Sequence, residues 1–183
     1  QRATRVGVEI LKAGGNAVDA AVAVGFALAV AYPEAGNLGG GGYMVIRKAD
    51  GTVAALDYRE IAPLAATRNM YVDASGKLTG KSVVGHLASG VPGAVAGMTE
   101  ALRVHGTMSL ADVMAPAIRL AEEGFVIDSA QSASLAGAAD LIGRFAEVPK
   151  RQLDQGLHVV GVRVLPHERV GEAGGRLDLA ELA

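Results

Sequence analysis

The segment NAVDAAVAVGFALAVA, residues 16–31, decides the fold of this chain. Asn16 suits the N-cap of a helix, because its side chain can accept a hydrogen bond from the backbone of Asp19, and Asp19 suits the first helical turn. The residues that follow are apolar on almost every face, which is typical of a helix buried on all sides. The segment therefore predicts a helix over residues 17–31 at the centre of the fold.

Further elements are predicted on both sides of this helix. Residues 4–13 have apolar side chains at helical spacing, and Gly14-Gly15 supplies the left-handed residue that ends a helix. Residues 43–48 and 52–57 flank a short connection whose glycine can adopt a positive φ. The sequence therefore predicts an antiparallel hairpin after the central helix.

Helices are predicted again in the later part of the chain. Residues 93–105 have helical spacing, and Ser109 begins a further helix in which Pro116 is expected to produce a kink. Gly124 follows the end of that helix, and Asp128 can cap another. Together with the hairpin, these elements predict a mixed α+β fold.

Composition excludes several classes of protein. With 183 residues, 50% hydrophobic and 20% charged, the chain has apolar material for one sizeable core. A net charge of −2, three Phe, four Tyr and no Trp argue against a nucleic-acid surface, which needs basic clusters and stacking rings. The absence of cysteine excludes disulfides and a cysteine nucleophile. The longest apolar run, residues 20–32, is shorter than the roughly 20 residues of a membrane span.

Four consecutive glycines, residues 39–42, precede the first predicted strand. Such a run can bind phosphate through its backbone amides, but neither a Gly-Lys-Ser/Thr sequence nor a helix follows it here. We therefore expect these glycines to allow close approach of packed backbones, and we predict no cofactor. His86 has no second ligand at a metal-binding spacing, so no metal site is predicted either.

Arg59 is the main candidate for a binding residue. It lies in the run LDYREIAP, residues 56–63, where the second predicted strand ends before a proline. A guanidinium group keeps its charge and presents a planar fork of donors that pairs with a carboxylate in bidentate fashion. An ordinary surface ion pair with Asp57 or Glu60 is the simpler alternative. If Arg59 binds a ligand, we expect both acidic neighbours to orient its guanidinium.

Four blocks of sequence carry a resemblance to a known family. They are ILKAGGNAVDAA at 10–21, YPEAGNLGGGG at 32–42, LDYREIAP at 56–63 and HLASGVPGAVAG at 86–97. In this order and at these spacings they resemble the large-subunit region of gamma-glutamyltranspeptidases, which belong to the N-terminal nucleophile hydrolases. The resemblance extends from about residue 3 to about residue 135.

The resemblance implies a transferase or glutathione hydrolase that cleaves gamma-glutamyl amides and passes the acyl group to water or an amino acid. The family's nucleophile is a threonine that becomes the N-terminus of a small subunit when the precursor cleaves itself. None of the six threonines here precedes a second threonine and a histidine, so no catalytic residue is predicted in this chain. The resemblance implies instead that Arg59 binds the substrate, glutathione or another gamma-glutamyl compound, and that the small subunit is a partner.

For the fold, the resemblance implies part of a four-layer αββα sandwich, in which two antiparallel sheets are covered by helices on both outer faces. In the family the small subunit supplies the remaining strands, so exposed edges and apolar surface are expected here. We assign residues 1–148 to the large-subunit portion, whereas residues 149–183 form a tail that we cannot match.

Two hypotheses account for the unmatched tail. Either a frameshifted or truncated reading frame produced it, or the protein is a divergent family member. Limited proteolysis separates them, because a tail foreign to the fold should be removed rapidly while residues 1–148 resist. A tail that resists the protease would contradict the frameshift hypothesis.

Localisation and function also carry expectations from the resemblance. The family is typically exported, which implies a periplasmic or secreted protein with its signal upstream of Gln1. Two other functions stay open. A related acylase would cleave another amide, such as a glutaryl side chain on a β-lactam nucleus or a gamma-linked polyglutamate. An inactive fragment or a small-ligand-binding domain would keep the anion site without chemistry.

Overall fold

A computed structural model describes residues 1–36, 38–144, 157–159 and 162–164. The described residues form helices and antiparallel strands, which confirms the mixed α+β class. The helices are α1 (Arg2–Lys12), α2 (Ala17–Ala31), α3 (Ala94–His105), α4 (Leu110–Glu123) and α5 (Ser129–Ile142). The strands are β1 (Tyr43–Arg47), β2 (Val53–Asp57), β3 (Leu157–Val159) and β4 (Val162–Val164).

The start of α2 is fixed by the cap that the sequence predicts. Asn16 Oδ1 accepts hydrogen bonds from the backbone amides of Val18 at 2.8 Å and Asp19 at 3.1 Å. In return, Asp19 Oδ2 accepts from the backbone amide of Asn16 at 2.7 Å. This reciprocal capping box satisfies amides that a helix N-terminus otherwise leaves unpaired.

Helix α2 lies at the centre of the fold, as predicted. It packs against α1, α3 and α4, and its residues Val22, Ala23 and Ala27 are fully buried. Small side chains on α2 allow neighbouring helices to approach closely, so one apolar helix can serve as the shared core of three others. The buried residues of α1 are Ala3, Val6, Gly7 and Ile10.

Asp19 is a buried carboxylate that joins α2 to the connection between α3 and α4. Its Oδ1 accepts from the backbone amides of Thr107 at 2.9 Å and Met108 at 3.1 Å. Its Oδ2 also accepts from the Thr107 hydroxyl at 2.6 Å. Burial raises the pKa of the Asp19 carboxyl, but hydrogen bonds from Thr107, Asn16 and Met108 together lower it by more. The pKa therefore lies below its ordinary value of 3.8.

The predicted hairpin is confirmed. Strands β1 and β2 pair antiparallel with Tyr43 opposite Asp57 and Arg47 opposite Val53, and Gly51 in the turn has φ of 87°. One face of the hairpin packs on the helical core through Met44, Ile46 and Leu56. The other face carries Tyr43, Val45 and Val53, which are 64%, 74% and 64% exposed.

The later helices begin at the caps that the sequence predicts. Ser109 Oγ accepts from the Asp112 amide at 3.1 Å at the start of α4, and Asp128 Oδ1 accepts from the Gln131 amide at 2.8 Å at the start of α5. Helix α4 continues past the buried Pro116 to its end. The kink expected at Pro116 stays a prediction.

Residues 62–90 form a long connection between β2 and α3 that includes two short 3-10 turns, at Gly80–Ser82 and His86–Ala88. The residues that flank this connection, Ile61 and Val91, form an antiparallel bridge. The bridge therefore brings the segment after β2 next to the segment before α3.

Strands β3 and β4 pair antiparallel, with Leu157 opposite Val164. Apart from these two strands, the tail assigned to residues 149–183 lies outside the described residues. In the part of the chain that the structure describes, no helix has both the length and the apolar character needed to cross a bilayer.

Candidate functional site

Three backbone segments meet around Arg59. Tyr58 donates its amide to the carbonyl of Gly42 at 3.0 Å, and Gly42 donates back at 3.3 Å, which continues the ladder beyond β2. The carbonyl of Gly40 accepts from the amides of Gly93 and Ala94 at 2.9 Å each, at the start of α3. The segment that carries Arg59 is held on one side by Gly42 of the glycine run and on the other by the bridge between Ile61 and Val91, just before α3.

Arg59 itself is half-exposed and lies two residues beyond β2. Its backbone amide donates to Asp57 Oδ1 at 3.0 Å, and its Nε lies 3.4 Å from Glu60 Oε2. Its Cζ lies 5.9 Å from the centroid of the Tyr43 ring. The Arg59 side chain is 54% exposed and that of Glu60 39%, so the ion pair itself contributes little to stability.

The two acidic neighbours of Arg59 differ in what they contact. Glu60 contacts the Arg59 guanidinium through Nε, as expected. Among the described residues, no ion pair involves the two terminal amino groups of Arg59. Our expectation that Asp57 orients the guanidinium is wrong, because the Asp57 carboxylate binds the backbone amide of Arg59 instead. Asp57 therefore fixes the backbone at Arg59, whose side chain is 54% exposed.

The glycine run provides the close approach that the sequence predicts. A β-carbon at Gly41 would lie 2.5 Å from both the backbone nitrogen and Oε2 of Glu60. A β-carbon at Gly42 would lie 3.0 Å from Cε2 of the Tyr58 ring. Any side chain at Gly41 would therefore displace the residue paired with Arg59.

Sequence reasoning missed two further glycines that line this segment. A β-carbon at Gly93 would overlap the carbonyl oxygen of Tyr58, and one at Gly97 would overlap the Tyr58 side chain. Gly93 is the N-cap of α3 and Gly97 lies one turn further along, so both are on the same side of the helix. The spacing of these two glycines could be seen in the sequence, but only the fold shows that Tyr58 fills the space beside them.

Two histidines lie at the ends of short helical or turn segments. His105 is the last residue of α3, where its position suits the helix dipole, and His86 begins a 3-10 turn. In the ranges that the structure describes, no group of three or more His, Cys, Asp or Glu side chains is arranged to hold a metal ion.

Comparison with known proteins identifies relatives that are similar to this chain in sequence. A family model described as gamma-glutamyltranspeptidase matches residues 3–160. The glutathione hydrolase proenzyme of Escherichia coli K12 is 58% identical over 129 residues, which cover 70% of this chain and 22% of that protein. Acylase ACY 1 proenzyme of Pseudomonas sp. V22 is 48% identical over 133 residues, covering 68% of this chain and 24% of that protein.

A solved structure shares the fold as well. The crystal structure of Helicobacter pylori gamma-glutamyltranspeptidase superposes with a TM-score of 0.81 at 41% identity, covering 97% of this chain and 48% of that one. The present chain thus spans less than a quarter of the length of the two curated relatives described above. Because the family model matches most of its residues, the chain belongs to the gamma-glutamyltranspeptidase family.

Proposed function

We propose that the complete protein is a gamma-glutamyltransferase and glutathione hydrolase. It would cleave gamma-glutamyl amides and transfer the acyl group to water or to an amino acid. The observation that carries the proposal is Arg59, a half-exposed guanidinium on a backbone segment held from both sides. The 58% identity with a glutathione hydrolase proenzyme supports the choice of substrate class.

Arg59 would bind the α-carboxylate of the gamma-glutamyl donor. Burying a carboxylate without a partner costs several kcal/mol, so a site for this small zwitterion needs a fixed cation. Glu60 occupies Nε, and the terminal amino groups can then form two parallel hydrogen bonds to the ligand. Glutathione and other gamma-glutamyl compounds all carry this carboxylate, so Arg59 would serve each of them.

The chemical step would come from the small subunit of the same precursor. An N-terminal threonine there would attack the amide carbonyl, with its own amine as the base, and form an acyl-enzyme that water or an amino acid then resolves. In this account Arg59 positions the donor, and residues outside the present chain supply the nucleophile.

The same subunit would complete the four-layer αββα sandwich. Support comes from the outer face of the β1–β2 hairpin, where Tyr43, Val45 and Val53 expose apolar surface. Tyr43 on this face lies beside Arg59. A second antiparallel sheet packed on this face would bury those side chains, as in other proteins built from stacked sheets. We also propose export to the periplasm or the medium, on the basis of the family resemblance.

An acylase that acts on a different amide is the second candidate function. The specific observation in its favour is the 48% identity with Acylase ACY 1 proenzyme. A glutaryl amide keeps the distal carboxylate of a gamma-glutamyl amide and lacks the amine. A complete protein with a higher kcat/KM for the glutaryl anilide than for the gamma-glutamyl anilide would therefore support the acylase and contradict the transferase.

We predict that the 183-residue chain alone has no hydrolase or transferase activity, because a residue that positions substrate cannot supply the covalent step. The measurement is release of p-nitroaniline from gamma-glutamyl-p-nitroanilide by the purified chain and by the complete protein. We expect release by the complete protein only. Activity of the chain alone that survives replacement of each of its threonines would contradict this account.

A further inference from the structure

The Tyr58 side chain occupies a space that only glycines can leave open. A β-carbon at Gly97 would overlap Cβ, Cγ and Cδ1 of Tyr58, so the aromatic ring lies directly on the backbone of α3. A β-carbon at Gly42 would lie 3.0 to 3.3 Å from Cε2, Cζ and the hydroxyl oxygen of the same ring. Tyr58 is thus held between the glycine run and the helix.

The backbone of Tyr58 lies against the same two elements. Its amide and carbonyl pair with Gly42, and Gly93 leaves room for its carbonyl group. Arg59 follows immediately, and Asp57 accepts from the Arg59 amide at 3.0 Å. The direction in which the chain leaves β2 therefore depends on how closely Tyr58 approaches α3.

We propose that Tyr58 is a positioning residue for Arg59 and that Gly97 sets how closely the Tyr58 side chain approaches α3. The contact between Tyr58 and Gly97 then determines how well the enzyme recognises the donor's α-carboxylate. The inference rests on the proposed function. A guanidinium fork must match its carboxylate in both distance and plane. Movement of Tyr58 away from α3 would shift the Arg59 guanidinium away from the position in which both N–H donors reach the carboxylate, although residue 59 would still be arginine.

The test uses two donors and the complete precursor. One donor is gamma-glutamyl-p-nitroanilide, and the other is 4-aminobutanoyl-p-nitroanilide, which keeps the amine and lacks the α-carboxylate. We expect Gly97→Ala to raise KM for the first donor by about 10- to 100-fold, because misplacing a binding group by about 1 Å can cost that much. We expect little change of kcat/KM for the second donor.

Two control variants define what this result means. Tyr58→Phe is the conservative variant: because it keeps the ring on α3, it should retain the preference for the first donor that Tyr58→Ala loses. Gly137→Ala places the same substitution as Gly97→Ala on α5, where a β-carbon meets nothing within 4 Å, and should behave as the wild type. Combining Gly97→Ala with Tyr58→Ala should weaken recognition of the carboxylate no further than Tyr58→Ala alone, because both changes remove one contact.

A purely structural role for Tyr58 predicts a different result. Gly97→Ala would then reduce the active fraction and lower kcat for both donors equally with KM unchanged, and that outcome would overturn the inference. If Gly97→Ala does not yield folded protein, Tyr58→Leu, which adds no atoms near α3, is expected to show the same loss with the first donor only. An equal loss with both donors would overturn the inference here too.

Failure of the inference can be told apart from failure of the proposed function. If Arg59→Ala discriminates between the donors and the Gly97 and Tyr58 variants do not, Arg59 reads the carboxylate without help from Tyr58. If Arg59→Ala lowers kcat/KM equally for both donors, Arg59 is not the carboxylate anchor, and the proposed function loses its main support.

Discussion

Replacing Arg59 by alanine in the complete protein is expected to lower kcat/KM for gamma-glutamyl-p-nitroanilide by about 150-fold or more. The change removes the cation that pairs with a desolvated carboxylate, which costs about 3 kcal/mol or more. Replacement by lysine keeps the charge but loses the planar fork, so a smaller loss of about 1.5–3 kcal/mol is expected. Both losses should appear mainly as weaker donor binding, in steady-state kinetics of the purified, processed enzyme.

Self-cleavage of the precursor is the matched control for the Arg59 variants. Under the proposed function the cleaved bond lies outside this chain, so both variants should still separate into two subunits on a denaturing gel. Arg47, which lies on β1 at the other end of the hairpin from Tyr43, offers a second control. Arg47→Ala should leave kcat/KM unchanged. Equal losses from Arg47→Ala and Arg59→Ala would indicate a general effect of lost positive charge.

Replacing Asp19 by alanine is expected to lower the free energy of unfolding by about 3–5 kcal/mol, because it leaves several buried donors unpaired. Asp19 is fully buried and accepts from three backbone amides and one hydroxyl. Asp19→Asn keeps the shape but turns one acceptor atom into a donor, and we expect a loss of about 2–3 kcal/mol. Denaturant unfolding of the complete protein measures both changes.

Asp50 provides the matched control for Asp19. Its carboxylate also accepts from a backbone amide and a hydroxyl, both of Thr52, but it lies exposed in the hairpin turn. Asp50→Asn should therefore change stability little, since water can replace the lost bonds. A loss of stability as large in Asp50→Asn as in Asp19→Asn would contradict the importance assigned to burial.

The stability that Asp19 contributes should also depend on pH. Its pKa in the folded protein lies below the ordinary value of 3.8 that applies when the chain is unfolded. A group with a lowered folded pKa stabilises the fold fully above its unfolded pKa and loses that contribution as pH falls through the folded pKa. The difference in unfolding free energy between wild type and Asp19→Asn should thus be constant near neutral pH and shrink below pH 3.8.

Local signals in the sequence predict much of this fold. The Asn16 cap, the Asp128 cap and the Gly51 turn act within a few residues, so the helices and the hairpin appear with bounds close to those expected. The pairing of Asp19 with Thr107 spans 88 residues, and no periodicity reports such a contact. The sequence shows Asp19 as part of a cap, and only the packing of α2 shows it as a link between helices.

In the candidate site, too, local features could be predicted from the sequence and contacts between elements could not. Arg59 stands out because of its residue type and its place after a predicted strand, both of which are local. The contact of Tyr58 with Gly97 joins residues from different elements, and the role expected of Asp57 was wrong because a short carboxylate two residues before an amide binds the backbone first. Side-chain spacing alone does not distinguish those two partners.

The most direct test of the central claim is a comparison of the two anilide donors with wild type and Arg59→Ala. The quantity is the ratio of kcat/KM for gamma-glutamyl-p-nitroanilide to that for 4-aminobutanoyl-p-nitroanilide. If Arg59 binds the α-carboxylate, the substitution should reduce this ratio by about 150-fold or more, the equivalent of about 3 kcal/mol or more. An unchanged ratio would contradict the claim and leave Arg59 as a surface ion pair with Glu60.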